Sequence, residues 1–556
     1  MRVRSIVSLA LLVPSLVAAQ GGQPAPAIAS IRQADLRADL FFLGSDAMKG
    51  RLTNTPENVV ASEWIKSRFE RLGLKSPARG FFQNYNLVTT SLGEGNAMTV
   101  RQGGQATTVP MAASGFFPQR FAATAEAAGP VVFAGYGIRS KDPAHDDYKP
   151  AATVKGAIVL IVDHEPGERD PDSPFDGVVT SDVGGTLRKA LAAQDAGAAG
   201  ILFVSDVHNH PGGGATVGNP FPQQPPRLGS YSLMAWYEAL KIPAAIVARP
   251  VAESLVASSG RSLEDLSRSA DTPGGVQAVR LGGVEVTLKT AVTRTAVPDR
   301  NVLAIVEGSD PKLRDEWIVI SAHFDHDGEN NNQVFNGADD DGSGTVGLLE
   351  IAEAYALAAE QGRRPRRSIL FAAFNSEERG LLGAWAYTVQ PTAPLDRIVA
   401  VLNMDMIGRN EEVPAPAAPA APAAGGRGGG GGRFNGLDPQ TAESNANALN
   451  IIGAVRSPDL RAAVESANKA QGLEIRYRYD NNVSQLLRRS DHWPFIQHGV
   501  PGIWIFTGLH PDYHTFNDDP DRINYVKMEK ILRLTYQMSW DLADAASRPK
   551  LLPRAK

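Results

Sequence analysis

The 556-residue chain contains no cysteine. That absence removes disulfides, cysteine nucleophiles and thiolate metal sites together, so any metal must be held by histidine and carboxylates. An excess of positive charge is also missing. Lys and Arg number 55 against 60 Asp and Glu, a net charge of −5, which argues against nucleic acid or anionic lipid as a partner. Beyond the first twenty residues no run is long and apolar enough to span a membrane. What is present is ordinary for a globular protein, with 43% hydrophobic and 21% charged residues and a length that suggests two or more folding units.

The first twenty residues differ from the rest. Arg2 and Arg4 precede an apolar run from Ile6 to Ala18 that ends in small residues. This is the pattern of a secretory signal peptide, here residues 1–19, and it predicts an exported protein, periplasmic or secreted, with no membrane span once the signal is removed.

Apolar periodicity predicts helices over 31–43 and 58–72, the second closed by Gly73. From about residue 125 to 286, short β-rich runs alternate with turns. The segment 187–196 reads as a helix there, and His208 and His210 in a Gly/Pro-rich loop read as solvated histidines. From Asn301 onward, strands (301–306, 317–322, 368–374, 398–403, 502–506) alternate with helices (345–360, 381–389, 458–471, 491–498, 525–546). This predicts an α/β class fold, a three-layer α/β/α sandwich around a mostly parallel, mixed central sheet. The stretch 413–433, rich in Pro and Ala and then Gly, reads as a flexible surface insertion.

The chemistry concentrates at strand ends. His323 and Asp325 follow the apolar run 318–322, and Asp339, Asp340 and Asp341 follow in a Gly-rich turn. Imidazole with carboxylate is zinc-ligand chemistry, and the carboxyl ends of sheet strands are where open α/β folds place their sites. Glu377 and Glu378 follow the strand ending at Phe374, Asp405 follows the next, and His514 follows the last. Any one of these acids is ordinary, being more often a solvated charge or a helix cap. Their recurrence after successive apolar strands is the signal.

Several motifs make the chain similar to the co-catalytic zinc exopeptidases of clan MH, which include bacterial leucyl aminopeptidases, aminopeptidase Y and glutamate carboxypeptidase. They are Phe42 to Arg51, Ala322 to His326, Gly337 to Gly344, Asn375 to Glu378, Asn403 to Asp405, Ser490 to His492 and Tyr513 to Thr515. The resemblance implies two zinc ions. His323 and Asp405 would bind one, Glu378 and His514 the other, and Asp340 would bridge them. It also implies that Asp325 orients His323, that Glu377 is the general base acting on a di-zinc-bound water, and that the Asp340–Asp341 peptide is cis.

The segment 187–200 resembles a protease-associated (PA) domain. The implied organisation is an N-terminal part of the peptidase domain over 30–115, a β-rich PA insertion over 120–288 and a catalytic domain over 295–546. The expected partner is a peptide with a free N-terminus. Glutaminyl cyclase-like and glutamate carboxypeptidase-like chemistry are alternatives on the same fold, and a receptor-like protein without activity is a third. Carboxypeptidase action would need arginines to hold carboxylates, with Arg476, Arg478, Arg488 and Arg489 as candidates. Tyr477 or Tyr479 could donate to an oxyanion or simply pack.

Overall fold

The computed structural model describes residues 23–77, 79–221, 228–415 and 434–553. The expected signal peptide and residues 416–433 of the expected insertion lie outside the described residues. Among the described residues, no helix is long and apolar enough to cross a membrane.

A nine-stranded sheet organises the chain. In chain order its strands are β1 (Phe82–Leu92), β2 (Ser232–Leu233), β3 (Val292–Val306), β4 (Trp317–His323), β5 (Ser368–Phe374), β6 (Ile398–Met404), β7 (Ala448–Ile452), β8 (Glu474–Arg476) and β9 (Gly502–Phe506). Across the sheet they run β2-β1-β3-β5-β4-β6-β9-β7-β8. The block β5-β4-β6-β9 is parallel. The flanks are antiparallel where β1 meets β2 and β3, where β3 meets β5 and where β7 meets β9.

Strands buried on both faces read as near-continuous apolar runs, and β4 to β6 do so, with Ser321, His323, Ser368 and Asn403 as their buried polar exceptions. In β4 the side chains divide cleanly. Ile318 and Ile320 enter a core with the helices Gln33–Leu43, Pro56–Arg71, Gly344–Glu360 and Tyr525–Asp544. Val319 enters the opposite core with Leu382–Val389 and His492–Gln497. These are the two outer layers of the sandwich.

Local signals explain where the helices start and stop. Thr55 accepts from the Asn58 amide at the start of Pro56–Arg71, a side-chain cap with proline in the first turn. Ala61, Ile65 and Phe69, spaced by four, are the face it buries. Gly73, at φ +66°, takes the left-handed position just past its end, as the sequence predicts.

A second, eight-stranded sheet has the order 105–109, 97–102, 279–290, 125–133, 158–162, 200–204, 244–247, 116–118. It carries its own cores on both faces. Residues 97–118 pair within this sheet, although the sequence reading extends the peptidase part to 115. Conversely, Leu233, inside the expected insertion, pairs with Leu87 at the edge of the central sheet. The two units therefore interlock through strand pairing, which short β runs do not reveal when read one at a time.

Candidate metal centre

Strand register brings the candidate residues together. His323 is the last residue of β4 and pairs with Phe374 of β5, three residues before Glu377. On its other side Ser321 pairs with Asn403 of β6, two residues before Asp405. His323 thus emerges between Glu377–Glu378 and Asp405 at the carboxyl edge of the sheet. His514 arrives from the loop after β9, and Asp340 from the turn that opens the helix Gly344–Glu360.

One carboxylate lies between two imidazoles. Asp340 Oδ1 is 3.3 Å from His323 Nε2, and its Oδ2 is 3.0 Å from His514 Nε2. Asp405 Oδ1 is 3.7 Å from His323 Nε2, and Glu378 Oε1 is 3.3 Å from His514 Nε2. The five residues proposed from sequence as ligands thus converge as two donor sets that share Asp340. Among the described residues, His323 Nε2 and Glu378 Oε1 are sealed from solvent without a hydrogen-bond partner. Buried polar atoms are normally satisfied, and an oxygen and nitrogen donor set of this kind fits zinc.

Charge points the same way. Burial opposes protonation of His323, yet Glu377, Asp325 and Asp340 drive its proton affinity well above the ordinary imidazole value. Burial pushes the Glu377 carboxyl well above its usual range, and Glu378 and Asp405 add to that. A buried cluster with more carboxylates than cations is satisfied by taking up protons or metal cations.

The surrounding loops are cross-tied. Asp341 Oδ2 accepts from the His323 amide at 3.0 Å, and its Oδ1 accepts from Gly344 at 2.9 Å and Met406 at 3.2 Å. Asp341 lies within coordination range of His323 and Asp405, but its oxygens are taken by these three amides. Position 344 has no room for a side chain, because a Cβ there would sit 2.3 Å from the Met404 carbonyl oxygen. Asp518 accepts from the amides of Asp339 and Asp340, at 3.0 and 3.1 Å. The fully buried Arg51 donates to the carbonyls of Leu43, Phe324, Asn336 and Gly337. The Asp340–Asp341 peptide is cis.

Some expected partnerships differ in detail. The Asp325 carboxylate is 3.6 Å from His323 Nδ1, while its backbone carbonyl is closer, at 3.1 Å. The carboxylate itself accepts from the amides of Glu377 at 2.9 Å and Glu378 at 3.3 Å. It therefore fixes the turn that carries Glu377 and Glu378 as well as facing the imidazole.

Tyr477 and Tyr479 do not reach the cleft. Tyr479 donates to Glu411 at 2.6 Å, and Tyr477 lies under the Arg461 guanidinium. Tyr513 lines the cleft instead, together with Glu377, Trp504 and Arg489. Among the four candidate arginines only Arg489 is there. Arg476 and Arg478 pair with Glu474 and Glu411, and Arg488 donates to the Thr180 carbonyl.

Three residues at the site have no role in the sequence reading. Asp327 Oδ2 is 2.8 Å from His514 Nδ1. His326 Nδ1 is 2.9 Å from Glu378 Oε1. Asp491 is fully buried, and among the described residues neither of its carboxylate oxygens has a hydrogen-bond partner. His326 and Asp491 stand inside motifs singled out above, and Asp327 adjoins one. Nothing in linear spacing separates a ligand from the residue behind it.

Two metal-donor sets sharing a carboxylate at the carboxyl edge of a mixed sheet define a metal-site α/β protein. Residues 301–429 and 434–539 match the profile of peptidase family M28, and residues 126–235 match that of the PA domain. The chain thus carries a peptidase family M28 domain and a PA domain.

Among curated relatives, a probable glutamate carboxypeptidase of Arabidopsis thaliana is 27% identical over 67% of this chain and 51% of its own length. A probable zinc metalloprotease of Pyrenophora tritici-repentis is 29% identical over 45% of this chain and 53% of its own length. The chain thus spans about half the length of these relatives. Among solved structures, an aminopeptidase from Aneurinibacillus sp. strain AM-1 aligns over 95% of this chain and 97% of that one, at 15% identity and a TM-score of 0.44.

Proposed function

We propose that the protein is an exported, zinc-dependent aminopeptidase that hydrolyses the first peptide bond of substrates with a free N-terminus. The observation that carries this reading is the position of Asp340, with one oxygen toward His323 and the other toward His514, at 3.3 and 3.0 Å. On this reading His323, Asp405 and Asp340 would hold one zinc ion, and Glu378, His514 and Asp340 would hold a second. Zinc bound there supplies Lewis acidity to a carbonyl and lowers the pKa of water.

The chain's own residues do the rest. Glu377, whose Oε2 is 3.9 Å from His323 Nε2, takes the proton of the attacking water and returns it to the leaving amine. Asp325 fixes the Glu377–Glu378 turn through two amides, so that adjacent carboxylates face different tasks. The Tyr513 hydroxyl, 3.0 Å from Arg489 Nη2, is held at the cleft wall by a cation, where a donor to a developing oxyanion is useful.

Action at the amino end is favoured over carboxypeptidase action because Arg489 is the single arginine lining the cleft among the described residues. Recognition of acidic carboxylates favours several guanidinium forks. Export rests on the residue pattern of positions 1–19 and is checked by the N-terminus of the mature protein. The activity is tested on a panel of aminoacyl arylamides with N-acetylated counterparts and a chelator arm. Cleavage of the free-amine substrates alone, abolished by chelation and restored by zinc, is the expected result. Equal cleavage of blocked substrates would overturn the assignment, and cyclisation of N-terminal glutamine without hydrolysis would replace it with a cyclase.

A further inference from the structure

The second sheet repeats the logic of the first. Its strands 158–162 and 200–204 are parallel neighbours, and the loops leaving their carboxyl ends carry His164, Glu168, His208 and His210. In sequence His208 and His210 read as solvated, because no carboxylate cluster nearby supports a metal site. The fold brings a carboxylate to them from the other loop. His164 Nδ1 is 2.9 Å from Glu168 Oε2, and His210 Nε2 is 2.6 Å from Glu168 Oε1. The two imidazole rings are 4.5 Å apart between centroids and tilted by 32°. His210 Nε2 is sealed from solvent and, among the described residues, makes no hydrogen bond despite that 2.6 Å approach. One ligand atom from each of His164, Glu168 and His210 lies within 4.8 Å of the other two.

The loops that carry these groups are held independently of them. Asp206, buried, accepts from Tyr136, Ser267 and the amides of His208 and Asn209. The His210 amide donates to the Asp206 carbonyl at 3.0 Å. Asp271 accepts from the Gly167 amide of one loop at 2.7 Å and from the Asn209 side chain of the other at 3.4 Å. Lys189 donates to the His164 carbonyl. A donor set braced from behind before any ion arrives is what selective metal binding needs.

We propose that His164, Glu168 and His210 form a separate site for one divalent transition ion of the zinc class, outside the M28 centre. Two imidazoles and one carboxylate suit such an ion and leave a position for water. The chain continuing from Glu168 then reaches the catalytic part. The Val178 amide donates to Asn481, Asn481 donates to the Pro171 carbonyl, and Arg488 donates to the Thr180 carbonyl at 3.0 Å. Arg488 precedes Arg489 of the cleft wall. Occupation of the site joins the ends of both loops and steadies the 168–182 segment against that wall.

The test is zinc content of the full-length protein, stripped with chelator and re-equilibrated against zinc-buffered solution, for the wild type, His164→Ala/His210→Ala and Glu168→Gln. Each variant is expected to bind one zinc fewer per chain than the wild type, and zinc should protect the 168–182 segment from limited proteolysis in the wild type alone. The difference between wild type and variant does not depend on how many ions the M28 centre takes, so failure of that reading would lower all three totals equally. The imidazoles are partly exposed, so melting of the metal-free proteins should be unchanged. Equal zinc content in wild type and both variants overturns the site, and equal protection overturns its link to the cleft.

Discussion

Asp327 places one carboxylate oxygen 2.8 Å from Nδ1 of His514 and the other 2.9 Å from Arg379 Nη2. It thereby fixes which ring nitrogen of His514 is free to face Asp340 and Glu378. Burial alone would raise the Asp327 carboxyl, but the contacts with His514 and Arg379 outweigh it and hold it well below the usual range. Loss of a carboxylate behind a histidine ligand costs about 10- to 100-fold in metal affinity. Asp327→Ala should therefore weaken one zinc selectively. Activity measured against buffered free zinc should shift to higher concentration and approach the wild-type ceiling at saturation. An unchanged zinc dependence would remove Asp327 from the site.

Glu377→Gln should separate chemistry from metal binding. Glu377 stands 3.9 Å from His323 Nε2 but, among the described residues, belongs to none of the groups placed to hold a metal ion. Loss of a general base typically lowers turnover by about a hundred- to ten-thousandfold. The fall should appear in kcat, with zinc content unchanged by elemental analysis. Loss of a zinc equivalent would reassign Glu377 as a ligand.

Asp341 offers a sharper distinction. Its oxygens accept from the amides of His323, Gly344 and Met406, so an asparagine there must point its NH2 group at one amide donor. A buried donor left unsatisfied costs about 1–3 kcal/mol. Asp341→Asn should lower the melting temperature equally with zinc and with chelator. A loss confined to the zinc-loaded protein would mean that Asp341 binds metal.

Much of the centre is legible in sequence because parallel strands end in register. The strands 317–322, 368–374 and 398–403 are readable as apolar runs, and the structure sets the first between the other two, which brings Glu377, Glu378 and Asp405 beside His323. What sequence could not resolve lies in the loops. Tyr513 adjoins His514 in sequence, yet Tyr477 and Tyr479 are the donors weighed from sequence, and the path of the chain after β9 brings Tyr513 to the cleft instead. Asp325 and Asp327 are both two to four residues from His323, yet one braces the Glu377–Glu378 turn and the other serves His514, nearly two hundred residues away. The pairing of 97–118 with the second sheet rests on contacts between short strands, and single runs of three to six residues do not specify their partners.

Glu350 gives a test of stability at a residue outside the candidate metal centre. It lies on the helix Gly344–Glu360, 2% exposed, and among the described residues its Oε1 has no hydrogen-bond partner. Burial, with Glu353, Asp35 and Asp39 adding, pushes its carboxyl from 4.5 up to about 8. The native state therefore holds this proton between those two values while the unfolded chain releases it. Where the native state binds more protons, stability falls as pH rises. The penalty begins near the unfolded pKa and is complete above the folded one, with a limit set by about 1.4 kcal/mol for each tenfold difference in proton affinity between the two states. Glu350→Gln mimics the protonated acid. In chelator-treated protein, where metal release plays no part, it should melt with the wild type in acid and above it in alkali. The gap should open through the neutral range. A gap of constant size across that range, or none at alkaline pH, would mean that Glu350 is ionised in the folded protein at little cost.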